Sequence, residues 1–351
     1  MSKILGVSTV EPGFTYSTEE IIQAADEMWL QHISPDTRRV ALKIFKGAEI
    51  QKRRSAFPLE TVFASISFEE KNDLYVNAAI DLAEKALKKA LQESSTKPQD
   101  IDFIITTSCT GFMIPSVDAY LIDRLDLNQH IKRLPITEMG CAAGVSALIY
   151  ANDYLQAHPK AKVAVVSVEL PSITFQKEDF SMENLVSTAI FADGAAAVIL
   201  GNDNTHVAPR IIDTDMYHFG NTTHLMGYKL QNSGLKIVLD RDVPDTIQEH
   251  FPKLFLPFLE RNKLKVEDVH NYLFHPGGKK IINRVEEYIS QFGKDISDSK
   301  AVLKERGNLS SATILHILER VLQKPHAAGE LGYMLAFGPG FSGQSLLLKW
   351  E

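Results

Sequence analysis

Residues 140–147 read Gly-Cys-Ala-Ala-Gly-Val-Ser-Ala, and residues 307–314 read Gly-Asn-Leu-Ser-Ser-Ala-Thr-Ile. Each stretch begins with a glycine, continues through one polar residue and several small residues, and leads into an apolar pattern with helical spacing. Cys141 and Asn308 occupy the same place in the two stretches and lie 167 positions apart. This similarity is the first sign that the chain contains two related halves.

A second pair of similar stretches has almost the same offset. Asp100 and Asp268 each follow a helical pattern and precede an apolar run, and they lie 168 positions apart. Two landmarks with nearly equal offsets predict a duplicated βα architecture, with halves at 1–205 and 206–351. Chance similarity between amphipathic helices is the alternative interpretation.

Short apolar runs alternate with helical patterns along the whole chain. Such alternation is typical of α/β layers, in which buried strands are connected by helices. A long amphipathic helix is expected over 72–91. The expected strands are 102–107, 163–168, 195–200, 272–274 and 346–348.

Composition excludes several classes of protein. The 351 residues are 44% hydrophobic and 23% charged, which is an ordinary globular balance. The net charge of −7 gives the chain no general attraction to nucleic acid or to anionic lipid, so an anionic substrate must meet a local basic patch. With two cysteines, no recognisable signal peptide and no long apolar run, we expect a cytoplasmic protein without a membrane span.

Cys141 is a candidate nucleophile because of its position at a turn before a helix. The helix dipole and free backbone N–H groups at such a turn stabilise a thiolate. The small residues around it leave room for a substrate. The alternative is a small buried thiol with no chemistry, and spacing alone does not separate the two.

His275 and Asn308 are the candidate partners of that thiol. His275 ends an apolar run and precedes Pro276-Gly277-Gly278, so it is expected at the end of a strand, where α/β proteins place functional residues. Asn308 lies at the turn that matches Cys141, where its amide could donate a hydrogen bond or simply cap the helix. Duplication would place Cys141 and Asn308 opposite each other. No spacing of histidines or cysteines indicates a metal site.

Four motifs in order connect these residues to a known family. They are residues 139–144 around the cysteine, 274–278 around the histidine, 307–311 around the asparagine, and the Phe-Gly-Pro-Gly run at 337–340. Together they resemble the type III polyketide synthases, the chalcone-synthase-like group of the thiolase fold. The resemblance covers nearly the whole chain. It implies duplicated halves in α-β-α-β-α layers, a homodimer in which Ile114-Pro115 reaches the partner's cavity, no bound cofactor, and malonyl-CoA and acyl-CoA as substrates.

The resemblance also implies roles for individual residues. Cys141 is acylated by a starter from CoA, and His275 pairs with its thiolate. His275 and Asn308 together promote decarboxylation of malonyl-CoA and hold the developing oxyanion. Lys43 and Lys46 are the candidates for contacts with the CoA phosphates, although both fit a solvated basic face equally well.

Further positions of the resemblance are expected to shape the substrate cavity. Phe191 falls on a gatekeeper position, and the 338–340 turn is expected to scaffold the pocket. The other cavity positions are Cys109, Thr174, Tyr228, Ile237, Ser310, Gly338, Pro339 and Gly340.

Four positions of the chain, three of them cavity positions, differ from the plant enzymes of the family. Ile237 replaces a gatekeeper phenylalanine, Ala336 a glycine, Cys109 a cavity threonine and Tyr228 a cavity glycine. The last two resemble bacterial members that prime with malonyl-CoA and form a small product such as phloroglucinol. A long-chain alkylpyrone or alkylresorcinol synthase is the second interpretation, and a single-condensation ketoacyl-carrier-protein synthase of the fatty-acid type is the third.

Overall fold

The computed structural model describes residues 2–31, 33–202 and 208–351. Within these ranges the chain forms thirteen strands and eleven α-helices, and nine of the strands join in one mixed sheet. The predicted boundary between 205 and 206 lies outside the described residues.

The strands fall into one large sheet and two small ribbons. The strands of the large sheet are β1 (Lys3–Val10), β4 (Phe103–Thr107), β5 (Lys132–Ile136), β6 (Val163–Glu169), β7 (Gly194–Gly201), β8 (Arg210–His218), β11 (Asn271–Phe274), β12 (Leu331–Gly338) and β13 (Ser342–Lys349). The ribbons pair β2 (Phe14–Ser17) with β3 (Lys52–Ser55), and β9 (Met226–Gln231) with β10 (Gly234–Leu239).

The large sheet consists of two blocks with matching topology. The N-terminal block has the order β1-β7-β6-β4-β5, and the C-terminal block has the order β8-β13-β12-β11. Each block contains an equivalent parallel pair, β6 with β4 and β12 with β11, and β5 adds a second parallel pair with β4. The other neighbours are antiparallel. The blocks meet where Lys3 pairs with Arg210. This repeated order confirms the predicted duplication, and in the described chain only β5 lacks a counterpart.

The helices separate the two blocks and cover their outer faces. They are α1 (Thr18–Met28), α2 (Pro35–Gly47), α3 (Leu59–Val62), α4 (Phe68–Glu93), α5 (Val117–Arg124), α6 (Ala143–Ala157), α7 (Met182–Ile190), α8 (Val243–Arg261), α9 (Lys279–Ile289), α10 (Ser297–Arg306) and α11 (Thr313–Leu322). Helix α4 begins four residues before the predicted start, because Ser67 and Glu70 form a reciprocal capping box.

The core has five layers in the order α-β-α-β-α. Helices α6 and α11 share one apolar cluster with the inner faces of both strand blocks. Helices α4 and α5 pack on the outer face of the N-terminal block, and α8 and α9 on that of the C-terminal block. The inner helices are apolar on nearly all sides, as a helix between two sheets must be. The layered α/β prediction is confirmed, and the arrangement brings the N-termini of α6 and α11 together.

No helix in the described ranges is long and apolar enough to cross a membrane.

Candidate active site

A cavity of about 1690 Å³ opens beside the starts of α6 and α11. Nine of the predicted catalytic and cavity residues line its wall, so the fold brings together side chains that are far apart in the sequence. They are Cys109, Cys141, Phe191, Tyr228, Ile237, His275, Asn308, Ser310 and Pro339. Lys43 also lines this cavity, on the exposed face of α2.

Cys141 lies in the turn that begins α6. A 3-10 turn at Gly140–Ala142 leads directly into the helix, as predicted. Gly140 has a φ of +50°, and a Cβ at this position would lie 2.7 Å from Cδ of Pro339. Glycine is therefore required at this position, and the β12–β13 hairpin closes tightly over the cysteine turn.

Asn308 lies in the equivalent turn before α11. Its side-chain Nδ2 donates to the Gly277 carbonyl at 2.8 Å, and its Oδ1 accepts from the Ser310 backbone N–H at 2.8 Å. Because the amide nitrogen has two hydrogens, one N–H remains beyond the Gly277 bond. The orientation of the Asn308 side chain is thus fixed, and its second N–H can donate a further hydrogen bond.

His275 follows the last residue of β11, where its backbone N–H donates to the Leu335 carbonyl at 2.8 Å. Its side chain is buried, with 4% exposed. Neither ring nitrogen has a hydrogen-bond partner among the described residues. A buried imidazole without partners in the wall of a cavity is placed to bind a substrate group or to move a proton.

Burial dominates the electrostatics of the thiol and the imidazole. It raises the pKa of Cys141 to about 12 and lowers the pKa of His275 to about 3. The Cys141 side chain is only half-buried, but it faces an enclosed cavity that keeps bulk water away from the sulfur, and this raises the pKa of the thiol. The hydrogen bonds of Cys141 with the Ser310 and Asn308 side chains act in the opposite direction and lower the pKa of the thiol. Both groups are therefore neutral before a substrate binds, so the thiolate–imidazolium pair stays a prediction.

Two family models cover almost all of the chain. The N-terminal domain model of the chalcone and stilbene synthases matches residues 47–204, and the C-terminal domain model matches residues 214–350. The chain belongs to the chalcone and stilbene synthase family. It is therefore a type III polyketide synthase, a condensing acyltransferase, and the family match favours this interpretation over the ketoacyl-carrier-protein synthase.

Relatives of this polyketide synthase are similar over nearly the full chain. A putative chalcone synthase of Bacillus subtilis is 33% identical, covering 100% of this chain and 99% of the relative. A 1,3,6,8-tetrahydroxynaphthalene synthase of Streptomyces peucetius is 32% identical over 99% of this chain and 93% of the relative. A phloroglucinol synthase of Pseudomonas fluorescens is 28% identical over 97% of this chain and 98% of the relative.

Solved structures agree with the family and with the thiolase-like fold. The crystal structure of 1,3,6,8-tetrahydroxynaphthalene synthase from Streptomyces coelicolor A3(2), a bacterial type III polyketide synthase, superposes with a TM-score of 0.93. The two chains are 27% identical, and the superposition covers 99% of each.

Not every predicted cavity residue of the synthase lines the main cavity. Thr174 lies in a smaller adjacent pocket, which shares Phe191 and Ile237 with the main cavity. Gly338 and Gly340 lie in the hairpin behind the wall, whereas Pro339 between them reaches it. Lys46 is exposed on α2 and does not line either pocket.

Glu169 is a site residue that the sequence interpretation missed. It is fully buried at the end of β6 and accepts hydrogen bonds from the Cys109 N–H, the Thr110 hydroxyl and the Ser311 hydroxyl. Burial raises its pKa above the ordinary value. A sequence signal for it exists, because Glu169 is the one charged residue in the buried strand 163–169.

Cys109 lies between Glu169 and the Ser310 hydroxyl. Its sulfur is 3.7 Å from both carboxylate oxygens of Glu169 and 3.6 Å from the Ser310 oxygen. The Cys141 sulfur is also 3.6 Å from that oxygen. The two thiols therefore share one hydroxyl, and burial together with the Glu169 charge raises the pKa of Cys109 well above its ordinary value.

Among the described residues, no group of three or more His, Cys, Asp and Glu side chains is arranged to hold a metal ion.

Proposed function

We propose that this synthase extends a starter, held as a thioester on Cys141, by repeated decarboxylative condensation with malonyl-CoA, and then cyclises the chain. The observation that carries the proposal is the convergence in one cavity of three groups. They are a thiol at the start of a buried helix, an unpartnered imidazole and an oriented amide. Nucleophile, proton acceptor and oxyanion donor are the groups that thioester exchange needs.

The steps follow from these three groups. In acylation, His275 accepts the Cys141 proton, the sulfur forms a bond to the starter carbonyl, and the proton leaves with the CoA thiol. In extension, the malonyl carbon–carbon bond breaks to release CO₂, and its electron pair remains as an enolate. His275 and the free N–H of Asn308 stabilise the enolate oxygen. The enolate carbon then bonds to the Cys141 acyl carbon, and the thiolate leaves and is ready for a new transfer.

We propose malonyl-CoA as the starter and a small aromatic product, with a phloroglucinol-like ring favoured. Cys109 and Tyr228 support this, since their side chains narrow the cavity beside Cys141 and are not those of the plant enzymes. The names of two bacterial relatives, phloroglucinol synthase and tetrahydroxynaphthalene synthase, point in the same direction.

Incubation with malonyl-CoA alone, followed by liquid chromatography and mass spectrometry, tests the proposal. Phloroglucinol, triacetic lactone or tetrahydroxynaphthalene is the expected type of product. Intact-protein mass spectrometry should show an acyl adduct that Cys141→Ala abolishes and Cys109→Ala retains. An adduct that survives in Cys141→Ala would show that the nucleophile is assigned wrongly.

Cavity volume supports a second candidate function. A volume of about 1690 Å³ exceeds the ~300–1,000 Å³ typical of small-ligand pockets, so a long acyl chain also fits. The second candidate is therefore an alkylpyrone or alkylresorcinol synthase. Product formed only after a fatty acyl-CoA is added, and not from malonyl-CoA alone, would favour this function.

We also propose a homodimer and a cytoplasmic location. Ile114 and Phe112 are apolar and exposed, at 97% and 55%, on a segment that lines the cavity, as an interface residue would be. Both cysteines are free, which suits a reducing compartment. Light scattering after size exclusion should give twice the chain mass of 39.1 kDa, and a monomer mass would contradict the dimer.

A further inference from the structure

The β9–β10 ribbon forms one side of the main cavity. Its two strands pair with each other and do not join the nine-stranded sheet. Side chains alternate between the two faces of a strand, and one face of this ribbon lines the cavity with Met226, Tyr228, Leu230, Leu235, Ile237 and Leu239. An isolated two-stranded hairpin is marginally stable in water, so contacts from outside the ribbon must fix the position of this wall.

Lys71 provides such a contact at the turn of the ribbon. It lies in the first part of α4 and is buried, with 8% exposed. Its Nζ donates to the Phe175 carbonyl at 2.7 Å and to the Ser233 carbonyl at 3.4 Å. Ser233 belongs to the two-residue turn between β9 and β10, and Phe175 follows the 3-10 turn Pro171–Thr174. Lys71 therefore connects three segments that are distant in the sequence.

The Lys71 ammonium group is the strongest anchor of the ribbon. In the described ranges it forms no ion pair with a carboxylate, and burial lowers its pKa. A cation away from water is costly unless hydrogen bonds satisfy it, so the two carbonyls are held close to it. The other polar anchors are weaker. Lys236 pairs with Asp179 at 3.0 Å near the surface, and Gln176 Nε2 lies 3.5 Å from the Leu235 carbonyl oxygen.

We propose that Lys71 is a positioning residue that holds the β9–β10 wall in place and thereby sets which acyl starters the synthase prefers. Tyr228 and Ile237 belong to this wall and line the same cavity as Cys141. When the turn is released, the wall moves relative to the acyl group and fits one starter no better than another. The catalytic residues lie on other elements and keep their places. The inference rests on the proposed function and adds the residue that controls its starter preference.

A competition between starters measures the effect of Lys71. The enzyme receives malonyl-CoA together with equal amounts of hexanoyl-CoA and lauroyl-CoA, and mass spectrometry gives the amount of polyketide primed by each of the three. The starter preference is the amount from the most used starter divided by the amount from the other two. We expect Lys71→Met to lower this preference by about threefold or more, because a wall that fits an acyl chain less closely discriminates less. A loss of active enzyme does not change this ratio.

Hydrogen exchange tests the physical cause. Amides in residues 226–239 should exchange about tenfold faster in Lys71→Met than in wild type, because local opening of the ribbon becomes easier. Amides in α6 should exchange at the wild-type rate. Lys71→Arg keeps the charge and several donors, so this variant should retain both the wild-type preference and the wild-type exchange.

Lys229→Met is the matched control. Lys229 is exposed on the same ribbon and lines neither the main cavity nor the smaller pocket, so both measurements should stay as in wild type. Thermal melting establishes that each variant is folded, and Lys71→Gln supplies the test where Lys71→Met does not fold.

Four results would overturn the inference. The first is an unchanged starter preference in the folded, uncharged Lys71 variant, even where the ribbon exchanges faster. The second is unchanged exchange of the ribbon in that variant. The third is an equal change in Lys229→Met, and the fourth is a wild type that uses the three starters equally. Absence of multiply extended products from every starter in wild type would instead refute the proposed function.

Discussion

Gly338 couples the β12–β13 hairpin to the cysteine turn, and replacing it with alanine should disable the site. A Cβ on Gly338 would lie 2.6 Å from the Met139 carbonyl oxygen, 2.6 Å from the Ala142 Cβ and 3.0 Å from the Ala142 backbone nitrogen. Carbon atoms pack at about 3.5 Å or more, so the hairpin and the turn must separate by about 0.9 Å. Because two of the three neighbours are backbone atoms, no rotamer change relieves the contact.

That displacement predicts two measurable effects of Gly338→Ala. The free energy of unfolding should fall by about 1–3 kcal/mol, as for other overpacked positions. The value of kcat/KM for malonyl-CoA should fall by about 100-fold, because a shift of about 1 Å at a nucleophile has an effect of that size. Urea denaturation and a steady-state CoA-release assay measure the two quantities.

Gly220→Ala is the control for Gly338→Ala. Gly220 follows β8, the sheet neighbour of β13, and a Cβ there would meet no atom within 4 Å. This variant should behave as wild type. A folded Gly338→Ala enzyme with kcat/KM within twofold of the control would refute the reasoning that the hairpin holds the cysteine in place.

Two further predictions concern the thiol and the CoA contacts. With the pKa of Cys141 raised to about 12 by burial, the thiolate fraction grows with pH, so alkylation of Cys141 by iodoacetamide should speed up about tenfold per pH unit from pH 7 to 9. A plateau below pH 8 that His275→Ala removes would instead establish the ion pair. Lys43→Ala should raise the KM for malonyl-CoA about two- to fivefold with kcat unchanged, whereas Lys46→Ala on the same helix should not, and equal effects would contradict a specific contact.

The fold could be predicted largely from local patterns. Strand β6 is buried on both faces, so 163–168 is an apolar run broken only by Ser167, and the sequence predicts it as a strand without knowledge of its neighbours. The turns at Cys141 and Asn308 contain glycines and small residues in the same order, so the sequence alone indicates that the two halves are related. Features that depend on adjacent residues can therefore be predicted from the sequence.

The parts that sequence reasoning missed depend on distant contacts. Arg53 lies in a short strand of basic residues and is typical of a solvated surface, yet it is 5% exposed and its Nη1 donates to the Thr188 carbonyl in α7. The resemblance to the family predicts Thr174 in the same cavity as Cys141. In the structure, Phe191 and Ile237 separate Thr174 from the main cavity. These environments depend on residues that lie far along the chain, such as Thr188 for Arg53 and Ile237 for Thr174, and the local sequence pattern does not indicate them.

The different surroundings of the two cysteines support their different proposed roles. Both sulfurs lie 3.6 Å from the Ser310 oxygen, so access to that hydroxyl does not distinguish them. Only Cys109 also touches Glu169, whose carboxylate opposes a second negative charge at 3.7 Å. Cys141 has instead the start of α6 and a hydrogen bond from Asn308, both of which favour a thiolate. Glu169 raises the pKa of both thiols, but only Cys109 contacts its carboxylate, and only Cys141 has the start of α6 and Asn308 to oppose the rise. These surroundings support our proposal that Cys141 carries the acyl chain and that Cys109 belongs to the cavity wall.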